Sequence, residues 1–213
     1  MKQKAIFFDL DGTLTDSGEG IINCVILALE HFGLPVPSRK ELGVFVGPPL
    51  DKSFVEFGVP TDKVQEAIAV FRSRYNTVGK FENTPYPGVH QMLQNLKDRG
   101  HRLFVATSKP ERTALDVLAK FQLTDYFEKI CGATMDGSRV NKEDVITYLL
   151  NQVQDVENVI MVGDTKYDVI GAKHHSIDTI GVSWGYGTVA EMEQAGAIAI
   201  AYDMEQLQTL LEQ

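Results

Sequence analysis

The sequence predicts an α/β protein: a doubly wound parallel sheet carrying a small all-helical unit inserted near its start. Three observations predict it. The chain opens on a continuous apolar run, Ala5-Ile6-Phe7-Phe8, which stops at Asp9, as a strand buried on both faces would. From about residue 88 onward, helical patterns alternate with short apolar strands, the pattern of βαβ crossovers. Between the two, residues 17–82 show helical periodicity throughout.

Each element follows from its local pattern. After the opening strand, Thr15-Asp16-Ser17-Gly18 reads as a turn and cap. Ile21, Ile22, Val25, Leu29 and Phe32 then recur at helical spacing up to Gly33. A short helix from Ser38 ends near Gly43, Val46 to Leu50 is a tight loop, and Asp51 to Phe57 is helical again. Thr61-Asp62 caps a helix through Tyr75, with Val64, Ile68, Phe71 and Tyr75 as its apolar stripe. Glu82 to Gly88, rich in proline and turn residues, reads as a linker. Beyond it come a helix at 88–99, a strand Arg102 to Ala106, a helix to Phe121 and a short strand within Tyr126 to Gly132. A helix from Asn141 to about Val153 follows, then a strand Asn158 to Val162 and a helix from about Tyr167 to His175. Strands Thr179 to Val182 and Ile198 to Ala201 and a helix Met204 to Leu211 complete the pattern. The expected domains are therefore residues 1–16 with 83–213 for the α/β core, and 17–82 for the helical insert.

Bulk properties narrow the partners. The chain has 213 residues, 44% hydrophobic and 23% charged, with a net charge of -9. It contains no Lys/Arg-rich block and no apolar run of membrane-spanning length, so neither a nucleic acid polymer nor a membrane is an expected partner. Met1-Lys2-Gln3-Lys4 and the short run after it do not read as a signal peptide. The two cysteines, Cys24 and Cys131, read as buried reduced thiols, and the expected location is the cytoplasm. His31, His90 and His101 have no visible partner in the sequence. His174-His175 points two imidazoles in different directions and is rejected as a metal pair.

The chemistry concentrates at strand ends. Asp9 and Asp11 close the first strand, and Gly12 and Thr13 follow. Thr107, with Ser108, follows the strand ending at Ala106; Lys142 opens a later helix; Gly163-Asp164, with Asp168 four residues on, follows the strand ending at Val162. Taken singly, these are a solvated turn, a strand-end hydroxyl, a surface lysine and a helix cap. In an open α/β sheet, ligands bind beyond the carboxyl ends of the strands, which gives the set a common location.

The string Asp9-Leu10-Asp11-Gly12-Thr13, followed in order by Thr107, Lys142 and Gly163-Asp164…Asp168, resembles the four motifs of the haloacid dehalogenase superfamily over nearly the whole chain. The resemblance implies a Rossmann-like core with a helical cap, and a Mg²⁺-dependent phosphomonoesterase acting on small soluble phosphates. In that scheme Asp9 is the nucleophile that becomes an aspartyl-phosphate, and Asp11 is acid and then base. Thr107 and Lys142 bind phosphoryl oxygens, helped by Gly12, Thr13 and Ser108. The implied metal ligands are Asp9, Asp11 through its carbonyl, and Asp164, with Asp168 orienting metal-bound water. An aspartate at position 11 favours phosphoryl transfer over dehalogenation, because halide departure needs no proton.

The insert resembles the cap of the phosphoglycolate-phosphatase-like group. Residues 131–142 and 181–187 are similar to loops of a bacterial 5′-nucleotidase-like branch. Lys142 is followed by Glu143 where phosphoglycolate phosphatases usually carry Pro, so a 5′-nucleotide is placed ahead of phosphoglycolate. A sugar-phosphate mutase of the same fold and a catalytically silent binding protein are the alternatives; the intact motif set argues against the latter. Trp184 and Tyr186 read either as base-stacking groups or as packing anchors. Arg72 and Arg74 read as solvated helix charges rather than substrate clamps. Lys40, Lys52, Lys63 and Lys80 read as surface charges. The expected state is a monomer or weak dimer.

Overall fold

The computed structural model describes residues 3–213; Met1 and Lys2, with which the signal-peptide reading begins, lie outside the described residues. The first strand, β1 (Ala5–Phe8), is buried at every position. Next come β2 (Thr15–Asp16) and the helices α1 (Gly18–His31), α2 (Arg39–Leu42), α3 (Leu50–Glu56) and α4 (Val64–Tyr75), with short 3₁₀ turns between them. β3 (Thr84–Pro85) leads back into alternation: α5 (Val89–Asp98), β4 (Arg102–Pro110), α6 (Glu111–Lys120), β5 (Lys129–Ala133), α7 (Lys142–Gln152), β6 (Val159–Gly163), α8 (Lys166–Lys173), β7 (Asp178–Val182), α9 (Val189–Ala195), β8 (Ala199–Ala201) and α10 (Met204–Leu211).

Six strands form one sheet in the order β5-β4-β1-β6-β7-β8, with every neighbouring pair parallel. β1 lies in the middle, and the chain builds outward from it first on one side and then on the other. The point where the strand order reverses is therefore at the end of β1, between β4 and β6, where a crevice opens in sheets of this kind. Alternate residues of β1 feed two separate cores. Ile6 and Phe8 pack with Leu93, Leu96, Val117, Leu118 and Leu207 from α5, α6 and α10. Ala5 and Phe7 pack with Val145, Ile146, Leu149 and Ala172 from α7 and α8. Helices on both faces explain why β1 reads as a continuous apolar run. A third apolar cluster belongs to the insert: Ile21, Val25, Leu29, Phe45, Phe54, Ile68 and Phe71 bury one another across α1, α3 and α4.

Four expectations need correction. The segment 82–88 is more than a linker: Thr84–Pro85 pairs antiparallel with Thr15–Asp16, so both crossings into the helical insert are tied into one ribbon. β4 continues past Ala106 to Pro110, with a register shift against β5 that absorbs the irregularity. α9 has no counterpart in the sequence reading, although Thr188 caps it by accepting from the Glu191 N–H and Gly196 ends it at φ 109°. The three histidines do find partners: His31 meets Glu66, His90 meets Tyr126, and the His101 Nδ1 accepts from the Lys4 N–H. Cys24 and Cys131 are free and buried. Among the described residues, no helix is long and apolar enough to cross a membrane.

Candidate active site

The carboxyl ends of β1, β4 and β6 meet at a buried cluster. Asp9 continues β1, and its N–H donates to the Val162 carbonyl at 2.9 Å, which locks it against β6. Lys142 is the first residue of α7. A capping box between Asn141 and Asp144 starts that helix and aims the lysine inward. Its ammonium lies 2.8 Å from Asp9 Oδ1 and 2.7 Å from Asp168 Oδ1, and donates to the Ala106 carbonyl at 2.9 Å. The Ala106 contact is a hydrogen bond, whereas the two carboxylates meet the ammonium as ion pairs. Burial opposes its charge, but Asp168 and Asp9 outweigh that and raise its pKa.

Asp168 does two jobs. Its Oδ2 accepts from the Thr165 N–H at 3.0 Å and from the Thr165 hydroxyl at 2.8 Å, which caps α8. Its Oδ1 faces Lys142. Asp164 is held by the Thr13 hydroxyl at 3.1 Å and by the Tyr186 N–H at 2.8 Å. The backbone presses closely on it: a Cβ at Gly12, whose φ is +82°, would fall 2.2 Å from Asp164 Oδ2. Only glycine fits there, for reasons of both space and conformation. The Gly12 N–H itself donates to the Thr15 carbonyl at 2.8 Å.

Asp9, Asp164 and Asp168 each bring one carboxylate oxygen within 4.8 Å of the others. Burial pushes the Asp9 carboxyl up to about 6, with Lys142 opposing and Asp168 adding to the rise. Burial, then repulsion from Asp168 and Asp9, raises Asp164 well above the usual carboxylate range. If all three carboxylates are ionised, the cluster carries two more negative charges than its one ammonium offsets, and the raised Asp9 and Asp164 carboxyls reflect that excess. An all-oxygen set short of two positive charges suits a hard divalent cation.

Asp11 is turned away from that cluster. Both its oxygens face the Lys109 ammonium, at 2.8 and 2.6 Å, and Lys109 also donates to the Tyr75 hydroxyl at 2.5 Å. Thr107 is buried, and its hydroxyl oxygen accepts from the Lys109 N–H at 3.2 Å. Asp9, Asp11, Thr107, Ser108 and Lys109 line one wall of a cavity of about 100 Å³, and Ile21, Phe45, Gly47, Leu50, Phe71 and Tyr75 of the helical insert line the other. The structure thus brings Asp9, Thr13, Thr107, Lys142, Asp164 and Asp168 together, with Asp11 and Ser108 at the cavity.

The sequence reading did not single out Lys109 or Tyr75. The string Thr107-Ser108-Lys109-Pro110 was the available signal for the first, and Tyr75 read only as part of an apolar stripe. Trp184 and Tyr186 act as anchors: the Trp184 indole donates to the Thr13 carbonyl at 3.2 Å, and the Tyr186 hydroxyl meets Asp16 and the Gly18 N–H. Of the expected surface charges, Lys63 meets Glu66 at 3.1 Å while remaining exposed, and two others are paired and half-buried. Arg74 clasps Glu82 with two hydrogen bonds of 2.6 Å, and Lys80 reaches Asp116 of α6 at 2.7 Å.

Known proteins are similar to this chain in sequence and in fold. The family described as haloacid dehalogenase-like hydrolase matches residues 6–182. The chain is 40% identical to the tyrosine-protein kinase PtkA of Mycobacterium tuberculosis over 198 residues, 92% of this chain and 68% of that protein. It is 36% identical to a 5′-nucleotidase of Pseudomonas aeruginosa over 209 residues, 97% of this chain and 95% of that one. The crystal structure of a predicted phosphatase from Clostridium acetobutylicum superposes with a TM-score of 0.94 at 40% identity, covering all of both chains. With a sheet, a buried acidic cluster and a family match spanning most of its length, this chain belongs to the haloacid dehalogenase-like hydrolases.

Proposed function

We propose that this hydrolase is a phosphomonoesterase that works through an aspartyl-phosphate on Asp9, with 5′-nucleotides as its substrate class. The observation that carries the reading is the placement of Asp9: a carboxylate at the end of β1, against Lys142, facing a cavity closed by the helical insert. Asp9 attacks phosphorus. Asp11, on the same wall, protonates the leaving oxygen and then takes a proton from the hydrolysing water. Thr107 and Lys142 orient the phosphoryl oxygens. Mg²⁺ fits the acidic cluster; Asp9, Asp164 and the Asp11 carbonyl would hold it, Asp168 would orient its waters, and it would supply neutralisation of the phosphoryl charge. Residues 17–82 act as the cap, with 1–16 and 83–213 as the core.

Two observations bear on the substrate. The wall of the cavity contributed by the insert carries no charge among the described residues, and Lys109, its lining cation, is committed to Asp11. The carboxylate that phosphoglycolate carries beside its phosphate finds no free cation among these lining residues. The similarity to a 5′-nucleotidase over nearly the full length of both chains supports the nucleotide class. A cavity of about 100 Å³ is smaller than the pockets that enclose ligands of nucleoside size, so a nucleoside requires the cap to open further.

The similarity to a tyrosine-protein kinase favours a second reading, in which the Asp9 phosphoryl passes to a hydroxyl acceptor instead of water. Assay of nucleoside monophosphates and p-nitrophenyl phosphate with Mg²⁺ tests the first reading. Free phosphate is expected, and Asp9→Asn is expected to abolish its release. Retained turnover in that variant overturns the mechanism, and label passing from radiolabelled ATP to protein tyrosine without phosphate release favours the second reading.

A further inference from the structure

Lys109 lies outside the motif set, yet it is built into the site. It sits in the irregular last stretch of β4, where the register against β5 shifts between Ala106 and Pro110. Such irregularities re-aim a side chain. Its backbone is pinned from two sides: its N–H donates to the Thr107 hydroxyl at 3.2 Å, and its carbonyl lies 2.5 Å from where a Cβ on Gly132 would fall. The aimed ammonium spans both oxygens of Asp11 and the phenol of Tyr75, at the end of α4 in the cap. It also lies 5.2 Å from the centre of the Tyr75 ring. Lys109, Asp11 and Tyr75 are all buried. With its protons directed to these acceptors, Lys109 has little capacity left for a substrate oxygen. A buried ion pair adds little net stability, so its presence here is better explained by orientation than by folding energy.

We propose that Lys109 is a positioning residue for Asp11 in the hydrolysis of the phosphoenzyme, and that Tyr75 makes this positioning depend on the docked cap. The inference rests on the aspartyl-phosphate reading. In the step concerned, water oxygen bonds to phosphorus and the Asp9 oxygen–phosphorus bond breaks. One water proton goes to the Asp11 carboxylate, and Asp9 leaves as a carboxylate. Lys109 holds the accepting carboxylate in one orientation while the cap excludes other water.

The test uses the full chain with Mg²⁺ and p-nitrophenyl phosphate, whose leaving group needs no proton. For Lys109→Met a burst of p-nitrophenol is expected, with kcat lower by about 100-fold and kcat/KM within about threefold of wild type. Acid-quenched protein should carry the mass of one added phosphoryl group. Tyr75→Phe should show the same split to a smaller degree, and Lys109→Arg should recover part of kcat. Equal losses in kcat and kcat/KM without trapped phosphoenzyme overturn the proposal, as does wild-type behaviour of Tyr75→Phe, which decides the matter if Lys109→Met fails to fold. Asp11→Asn separates the two readings. Trapped phosphoenzyme there, with none in Lys109→Met, sinks only the Lys109 proposal; none in Asp11→Asn overturns the aspartyl-phosphate reading and the proposal with it.

Discussion

Two lysines serve three of the four central aspartates. Lys142 serves Asp9 and Asp168, Lys109 serves Asp11, and Asp164 is held by neutral donors. This division separates the carboxylate proposed to attack from the one proposed to move protons, although one residue lies between them. Elsewhere, single residues act on stability. The His101 ring is buried, and burial, with Lys4 nearby, holds its pKa below the ordinary 6.5. The folded chain therefore prefers the neutral ring. As pH falls below 6.5 the unfolded chain takes up a proton that the folded chain resists, so stability is full above that value and lost on acidification. Relative to His101→Gln, the wild-type thermal midpoint should drop as pH falls through this range, a comparison that removes the opposite contribution of the raised Asp9 and Asp164 carboxyls.

Helix starts do much of the placement at the scale of elements. The capping boxes of α7 and α8 put Lys142 and Asp168 at fixed points beside β1, and each uses a side chain within three residues of the cap. The cap helices depend instead on aromatic packing. Phe54 of α3 is fully buried, edge-on to Phe45 with ring centres 5.1 Å apart and to Phe71 at 6.5 Å. Phe54→Ala leaves a cavity in the cluster that supports the cavity-lining Phe45 and Phe71. It should cost about 3–5 kcal/mol in urea unfolding. Activity should fall with it, because the same two rings form the cap wall of the site.

At the scale of the molecule, the sheet's reversal point and the β2–β3 ribbon bring core and cap to one cavity. One ion pair, Lys80 on Asp116, crosses the same junction, as does the hydrogen bond from Lys109 to the Tyr75 hydroxyl. Folding concentrates Asp9, Asp164 and Asp168 against their mutual repulsion. A bound divalent cation should offset that repulsion. At 100 times its dissociation constant, Mg²⁺ should add about 2.7 kcal/mol, seen as a rise in thermal midpoint. Asp164→Asn, which removes a ligand charge, should abolish most of that rise.

Local pattern by itself determined the six strands of the main sheet, though not the ribbon of β2 and β3 or the full length of β4, together with most of the helices and the order of the acidic strand ends. A buried parallel strand must read as an apolar run, and helix caps act within a few residues. Asp9, Thr107 and Asp164 were legible because each follows such a run, and Lys142 because it opens a helix. The seven-residue α9, which buries only Met192, carried too little periodicity to show. Only the tertiary structure decided where charges find their partners. Lys109 meets Asp11 across 98 residues of sequence and Tyr75 across 34, and Lys142 reaches the Ala106 carbonyl across 36. Such pairings depend on distance in space, which periodicity does not encode. The same residues that read as an apolar stripe and a strand-end string thus became, once folded, the link between cap and Asp11.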